Sequence, residues 1–223
     1  MAIALAQHKF TDSNPAGTTQ TVTVTSTVAN SVLVVTSAVS ANRTVSSVTD
    51  GGDTFVQATG AAGNNGNYFV DAWYCLAGSG GKTTITVTYS PSLDTIESFV
   101  EVWEVTGFKR PAFDLASTNH SNAVANTATG VALTTTGAID FIASAIINTD
   151  SITANPKSGN AFTFGGDITS ETNAACSLAT SSIGTYTPAW TTSTTTDVFV
   201  TTIIAIKELA GLTTRILMTR VGI

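Results

Sequence analysis

The chain has 223 residues, of which 43% are hydrophobic and only 11% are charged, and its formal net charge is −6. This length allows one large domain or two small ones with a sizeable core. The nine Lys and Arg residues form no basic stripe that could neutralise phosphates, so we predict no nucleic-acid partner. No apolar run reaches the roughly 18 residues of a membrane-spanning helix, so we predict no membrane partner.

The first stretch, residues 1–20, is predicted to be an N-terminal arm with at most one short strand, at 3–6. Its start, MAIALAQHKF, has no positively charged leader, and its apolar run is too short for a signal peptide. A Thr-rich chain of extracellular type without a leader is released by cell lysis, exported by a dedicated system, or trimmed. The first of these explanations fits a phage.

Strand patterns begin at residue 21. TVTVTSTV at 21–28 alternates strictly, and SVLVVTSAV at 31–39 is nearly continuous, as in a strand buried on both sides. Asp50-Gly51-Gly52-Asp53 predicts a hairpin turn. Residues 68–105 are predicted to form three successive strands, the last of which places Phe99, Trp103 and Val105 on one face.

Residues 108–130 interrupt the pattern and are predicted to be a crossover. Further strands are predicted at 131–135, 139–147, 161–164, 173–179, 186–191 and 198–207. These runs repeat the first set, at an offset of 107 residues before the GAAGNNGN loop and of 101 after it, which pairs Phe55 with Phe162 and Cys75 with Cys176. We infer an internal duplication, with repeats at about 22–106 and 131–207.

These strands predict an all-β fold, namely an antiparallel, jelly-roll-like β-sandwich in which each half contributes strands to both sheets. The predicted organisation is an N-terminal arm at 1–20, the duplicated sandwich at 21–208 and a C-terminal arm at 209–223. Two separate sandwiches of about 85 residues are the alternative. The crossover at 108–130 disfavours that alternative because it is not a clean flexible spacer.

At the duplicated strands the chain resembles a widespread group of Thr-rich β-sandwich proteins encoded in phage and bacterial genomes. The resemblance lies in the buried strand at 32–39, the TDGGDTF hairpin at 49–55, the YCLAGSGG turn at 74–81 and the strand VEVWEVTG at 100–107. It covers most of residues 20–207. It implies a virion structural protein or a bacterial surface adhesion module, and it brings no catalytic residues with it.

The apolar C-terminal arm is the candidate assembly element, because such a tail beyond a closed fold is a liability unless it is covered. A disordered tail is the alternative interpretation. The residues predicted to make the assembly contacts are Leu212, Ile216, Leu217, Met218 and Val221.

Candidate catalytic and metal-binding groups are weak. Asp50, Asp53 and Asp167 lie near Gly-rich turns but fit no calcium loop, and His8 and His120 are far apart, so we predict no metal and no cofactor. Glu97, Glu101 and Glu104 are spaced too widely along one strand for a glycosidase pair, and we expect a solvated face. The two cysteines are expected to be buried small apolar residues, although a disulfide is not excluded by their number.

Aromatic residues could form a sugar-stacking platform, but Trp103 and Trp190 lie within apolar strands and are expected to be core. The sequence therefore predicts a non-enzymatic structural protein of a phage particle, located in the virion. It would be a capsid decoration, fibre or tail component that binds itself and other virion proteins. The alternative is a glycan-binding adhesion module of a secreted or cell-surface protein.

Overall fold

The computed structural model describes residues 3–13, 16–40, 43–93, 97–154, 156–157, 159–164, 171–195 and 198–210. All regular secondary structure in these ranges is β-strand, and the strand pairs are antiparallel, which confirms the predicted class. The first half contains β1 (Ala4–Ser13), β2 (Thr19–Thr23), β3 (Val32–Ser40), β4 (Thr44–Thr49), β5 (Val56–Gln57), β6 (Gly63–Asn64), β7 (Tyr68–Cys75), β8 (Thr84–Ser90) and β9 (Ser98–Thr106). The second half contains β10 (Pro111–Asn122), β11 (Thr127–Thr129), β12 (Leu133–Thr134), β13 (Asp140–Ala154), β14 (Thr163–Phe164), β15 (Glu171–Thr180), β16 (Thr185–Tyr186), β17 (Ala189–Thr192) and β18 (Val198–Glu208).

Each half builds one large sheet and covers its outer face with short strands. In the first half the large sheet has the order β1-β9-β3-β7-β5, with β6 also on β7, and the small sheet has the order β2-β8-β4. In the second half the large sheet has the order β10-β18-β13-β15-β14, while β17 pairs with β11 and β13, and β12 pairs with β16. No described sheet takes strands from both halves, so the expectation that the halves share their sheets is wrong.

The two large sheets pack face to face, which makes a four-layer arrangement with three apolar cores. Alternation along each central strand divides its side chains between two cores. On β3, Val32 and Val34 enter the core between the halves, whereas Leu33 and Val35 enter the core under the first small sheet. β9, β13 and β18 behave in the same way, which is why their sequences are apolar at nearly every position.

The seam between the halves is lined by small residues that let the sheets approach closely. Ala38, Ala72, Ala143, Ala145 and Ala175 all belong to this core. At its margins, the rings of Tyr74 and Phe113 stack with centroids 5.2 Å apart. The hydroxyl of Thr202 donates to the carbonyl of Ala61 at 2.8 Å. The halves are therefore joined by a packed core with specific polar contacts.

Three local predictions are wrong. Residues 4–13, predicted to be arm, form the full strand β1 on the free edge of β9, and residues 111–122, predicted to be crossover, form β10 on the free edge of β18. Both are edge strands with mixed exposure, so their sequences lack clean alternation. The predicted loop after residue 147 also fails, because β13 continues to Ala154 and leaves the large sheet to pair with β17.

The two large sheets correspond strand by strand, as the inferred duplication requires. Even the β-bulges match: one lies between Leu5 and Gln7 on β1, the other between Phe113 and Leu115 on β10, at equivalent places in the ladders. Common origin of the halves stays a prediction that explains this correspondence.

Candidate assembly site

A groove of about 730 Å³ lies at the end of the molecule where β9 ends, β10 begins and β18 leaves the sheet. Its aliphatic lining includes Ile3, Ile139, Ile183 and Leu209. Ile183 is 61% exposed, and Ile139 and Leu209 are each 37% exposed. Large aliphatic side chains exposed together around a concavity are typical of a docking surface.

The chain leaving β18 is anchored at this groove. The Glu208 carboxylate accepts hydrogen bonds from the backbone N–H groups of Lys109 at 2.8 Å and Arg110 at 3.0 Å. The N–H of Glu208 donates to the Ile139 carbonyl, and the N–H of Leu209 donates to the Arg110 carbonyl. The path of the backbone is therefore fixed through Leu209, directly before the predicted assembly residues.

Ile183 projects from a turn that is also held in place. The N–H of Thr135 donates to the Gly184 carbonyl at 3.0 Å. The hydroxyl of Tyr186 donates to the Ser182 carbonyl at 2.8 Å. The most exposed aliphatic side chain of the groove thus stands on a hydrogen-bonded platform.

A polar cluster of Asp114, Thr136 and Lys207 lies beside the groove. Asp114 accepts from the Thr136 N–H at 2.7 Å, from the Thr136 hydroxyl, and from Lys207 Nζ at 2.9 Å. Burial alone would raise the pKa of Asp114, but the hydrogen bonds from Thr136 and the charge of Lys207 outweigh it and lower the pKa. Lys207 is thereby neutralised within the fold.

Asp140 is the unusual member of this region. Its side chain is fully buried, and neither carboxylate oxygen has a hydrogen-bond partner among the described residues. Burial, and then the neighbouring Asp114 carboxylate, raise the pKa of Asp140 to about 7. Asp140 therefore exists in both protonation states near neutral pH.

The predicted assembly residues Leu212, Ile216, Leu217, Met218 and Val221 lie outside the described residues. The sequence did not indicate the groove that precedes them. Its lining comes from segments far apart in the chain, and only Ile183, an isolated aliphatic residue in a polar turn, gave a local signal.

The expected solvated face of glutamates on β9 is wrong. Glu101 and Glu104 are buried because β9 lies between β1 and β3 and is covered on both faces. Glu104 accepts from Gln7 Nε2 at 2.6 Å and from the Val28 N–H at 2.5 Å. Glu97 accepts from Asn173 Nδ2 at 2.8 Å across the seam between the halves. These carboxylates are engaged in the fold.

Glu101 forms a buried pair with His8 on the neighbouring edge strand. Burial raises the pKa of Glu101 well above its ordinary value, and burial with the nearby charge of Lys9 lowers the pKa of His8 to about 4. Both shifts favour uncharged groups. The arrangement is accordingly a neutral acid whose proton is shared with a neutral imidazole.

The aromatic predictions hold where they concern the core. Trp103 and Trp190 are fully buried. Trp73 and Tyr74 are half-buried consecutive residues of β7, so they point to opposite faces of the sheet, and Trp73 Nε1 donates to Asp71 at 3.0 Å. They do not form one stacking platform.

Cys75 and Cys176 are buried free thiols, as expected, and burial raises the pKa of both. Asp50 closes its own turn by accepting from the N–H groups of Gly52 and Asp53, while Asp167 lies outside the described residues. Within the described ranges no group of three or more His, Cys, Asp or Glu side chains is placed to hold a metal ion. The described part of the chain also contains no helix long and apolar enough to cross a membrane.

Comparison with known proteins assigns no family. No protein-family profile matches the chain, and no curated protein matches it in sequence. A conserved protein of unknown function from Pseudomonas aeruginosa PAO1 is similar at 11% identity and a TM-score of 0.30, over 91% of this chain and 82% of that one. The PBSX exported protein XepA is similar at 11% identity and a TM-score of 0.22, over 92% of this chain and 86% of that one. Likenesses this low transfer neither fold nor function, and the Thr-rich β-sandwich group stays a resemblance.

Proposed function

We propose that the chain is a non-enzymatic structural protein of a phage particle, a capsid decoration, fibre or tail component that associates with itself and with other virion proteins. The observation that carries the proposal is the exposed aliphatic groove at the point where the segment 209–223 begins. A rigid body with a sticky surface and an adjoining apolar segment is suited to assembly.

The construction of the body supports this role. The central strands of both large sheets are buried on two faces, which leaves little internal freedom. The carboxylates that could have served as an acid–base pair are instead engaged structurally, Glu101 with His8 and Glu104 with Gln7. The described geometry thus favours a building block over a catalyst.

The test compares the full chain with a chain that stops at Ala210, by light scattering and negative-stain imaging. We expect the full chain to form discrete oligomers, rings or filaments, and the shortened chain to be a folded monomer with an unchanged strand signal in circular dichroism. A full chain that stays monomeric at high concentration would remove the proposal.

A glycan-binding adhesion module remains the alternative. The placement of Trp73 and Tyr74 on opposite faces of β7 gives it no support. Binding on a glycan array that is lost in Trp73→Ala would favour it over the structural role.

A further inference from the structure

We infer that the groove beside Ile183 is the acceptor for residues 211–223 of a second copy of the chain. This inference rests on the proposed self-association and names its donor and its acceptor.

The direction of the chain favours a second copy over the same molecule. β18 runs between β10 and β13 and continues outward, held by the hydrogen bond from the Leu209 N–H to the Arg110 carbonyl. Arg110 Nη1 donates to the Ala210 carbonyl at 3.2 Å and extends this anchoring by one residue. To fill its own groove the chain would have to reverse directly after Ala210. A segment arriving from a neighbour meets no such constraint.

The chemistry of donor and acceptor matches. The segment 211–223 carries Leu212, Ile216, Leu217, Met218 and Val221 among small and polar residues. The groove offers a volume of about 730 Å³ walled by aliphatic side chains, which is within the range of pockets that hold ligands through apolar contact.

The charges indicate that the attraction is apolar. Lys109 and Arg110 lie exposed at the groove, and the segment itself carries Arg215 and Arg220. Like charges on the two sides oppose association, and salt screens that repulsion. Association should therefore strengthen as salt is added, whereas the binding of an acidic partner would weaken.

The two contact surfaces of one copy are different, so the contact is head-to-tail. Such a contact produces a closed ring when the rotation between copies closes, and a filament when it does not.

The experiment uses two full-length variants. The acceptor variant is Ile183→Asp, at an exposed position where a polar side chain leaves the fold intact. The donor variant combines Ile216→Asp, Leu217→Asp and Met218→Asp. The control is Val124→Asp, which is 74% exposed and lies just beyond the far end of β10. Thermal unfolding checks that all three remain folded.

By light scattering we expect each of the two variants to be a monomer, and their equimolar mixture to form dimers, because the mixture restores one donor–acceptor contact. We expect the control to assemble like the wild type. A labelled 211–223 peptide should bind the donor variant at least about tenfold more tightly than the acceptor variant, and more tightly at higher salt.

The failures are distinguishable. A monomeric wild type removes the proposed function itself. A wild type that assembles, together with an Ile183→Asp variant that also assembles, overturns the groove as acceptor and leaves self-association standing. Two monomeric variants that do not pair when mixed overturn the second copy as the occupant.

Discussion

His8 Nε2 and Glu101 Oε2 lie 2.7 Å apart across the two outermost strands of the first large sheet, in a pair that burial keeps uncharged. The second oxygen of Glu101 and the indole N–H of the neighbouring Trp103 have no partner among the described residues. The protonated carboxyl is therefore best described as a hydrogen-bond donor to the imidazole, and its charged form is what the site resists.

Glu101→Gln should be nearly neutral for stability at neutral pH, because the amide keeps a donor for His8 in a side chain of similar shape. Glu101→Ala should lower the free energy of unfolding by about 2 kcal/mol or more, through a cavity and an orphaned imidazole. Urea denaturation of the two variants measures the difference. Equal destabilisation by Gln and Ala would contradict the donor assignment.

The same pair predicts opposing pH effects. The lowered pKa of His8 makes stability rise with pH between about 4 and the ordinary value of 6.5. The raised pKa of Glu101 makes stability fall with pH above its ordinary 4.5. The two effects oppose each other up to pH 6.5, and above it only the fall remains. Glu101→Gln should remove that fall, measured as the difference in unfolding free energy between about pH 7 and pH 9.

Asp140→Asn should remove another part of the pH dependence. Because the pKa of Asp140 is raised from 3.8 to about 7, its contribution to stability is full at low pH and is lost as the pH rises through 7. The Asn variant should therefore gain stability relative to the wild type on going from about pH 5 to pH 8. Asp114→Asn is the matched control with the opposite sign, because the pKa of Asp114 is lowered and its charged form is the stabilising one.

Gly60→Ala should destabilise the seam between the halves. Gly60 has φ +91°, and a Cβ there would lie 2.8 Å from the carbonyl oxygen of Ala116 on β10. Gly51 has a similar φ of +85° but open space around it, so Gly51→Ala carries the backbone strain alone. Thermal unfolding should show a loss of about 1 kcal/mol for Gly51→Ala and a clearly larger one for Gly60→Ala. Equal losses would mean that the contact with β10 yields freely.

The stacked rings of Tyr74 and Phe113 should be energetically coupled across the seam. A double-mutant cycle with Tyr74→Ala and Phe113→Ala is expected to give a coupling energy of about 0.5–1.5 kcal/mol. Additive losses within error would show that the stacking geometry contributes nothing beyond burial.

The strands predicted from the sequence are those whose pattern is set by burial. The division of Phe99 and Trp103 from Val100 and Val102 between two faces of β9 followed from alternation alone, and the structure places the two sets in different cores. The edge strands β1 and β10 were missed because a strand paired on one side carries no such constraint. The buried state of Glu101 was missed for a related reason: its partner, His8, lies on a strand that was not predicted.

The groove could not be predicted either. It exists because residues 3, 107–110, 136–139, 183 and 207–210 meet at one end of the molecule, and that meeting depends on the order of the strands within the sheets. A sequence pattern reports the period of a strand and the length of a loop. It does not report which strand ends come together.

Each half closes its sheets with its own strands, so the covalent chain crosses the seam only through the short stretch between β9 and β10, at 107–110. The broad face that each large sheet turns to the other is held by packing, not by shared strands. If the halves descend from one repeat, that seam preserves an association that two separate chains once had to find by diffusion. A single cleavage at 107–110 would then return the molecule to that earlier condition, two partners that recognise each other without a tether.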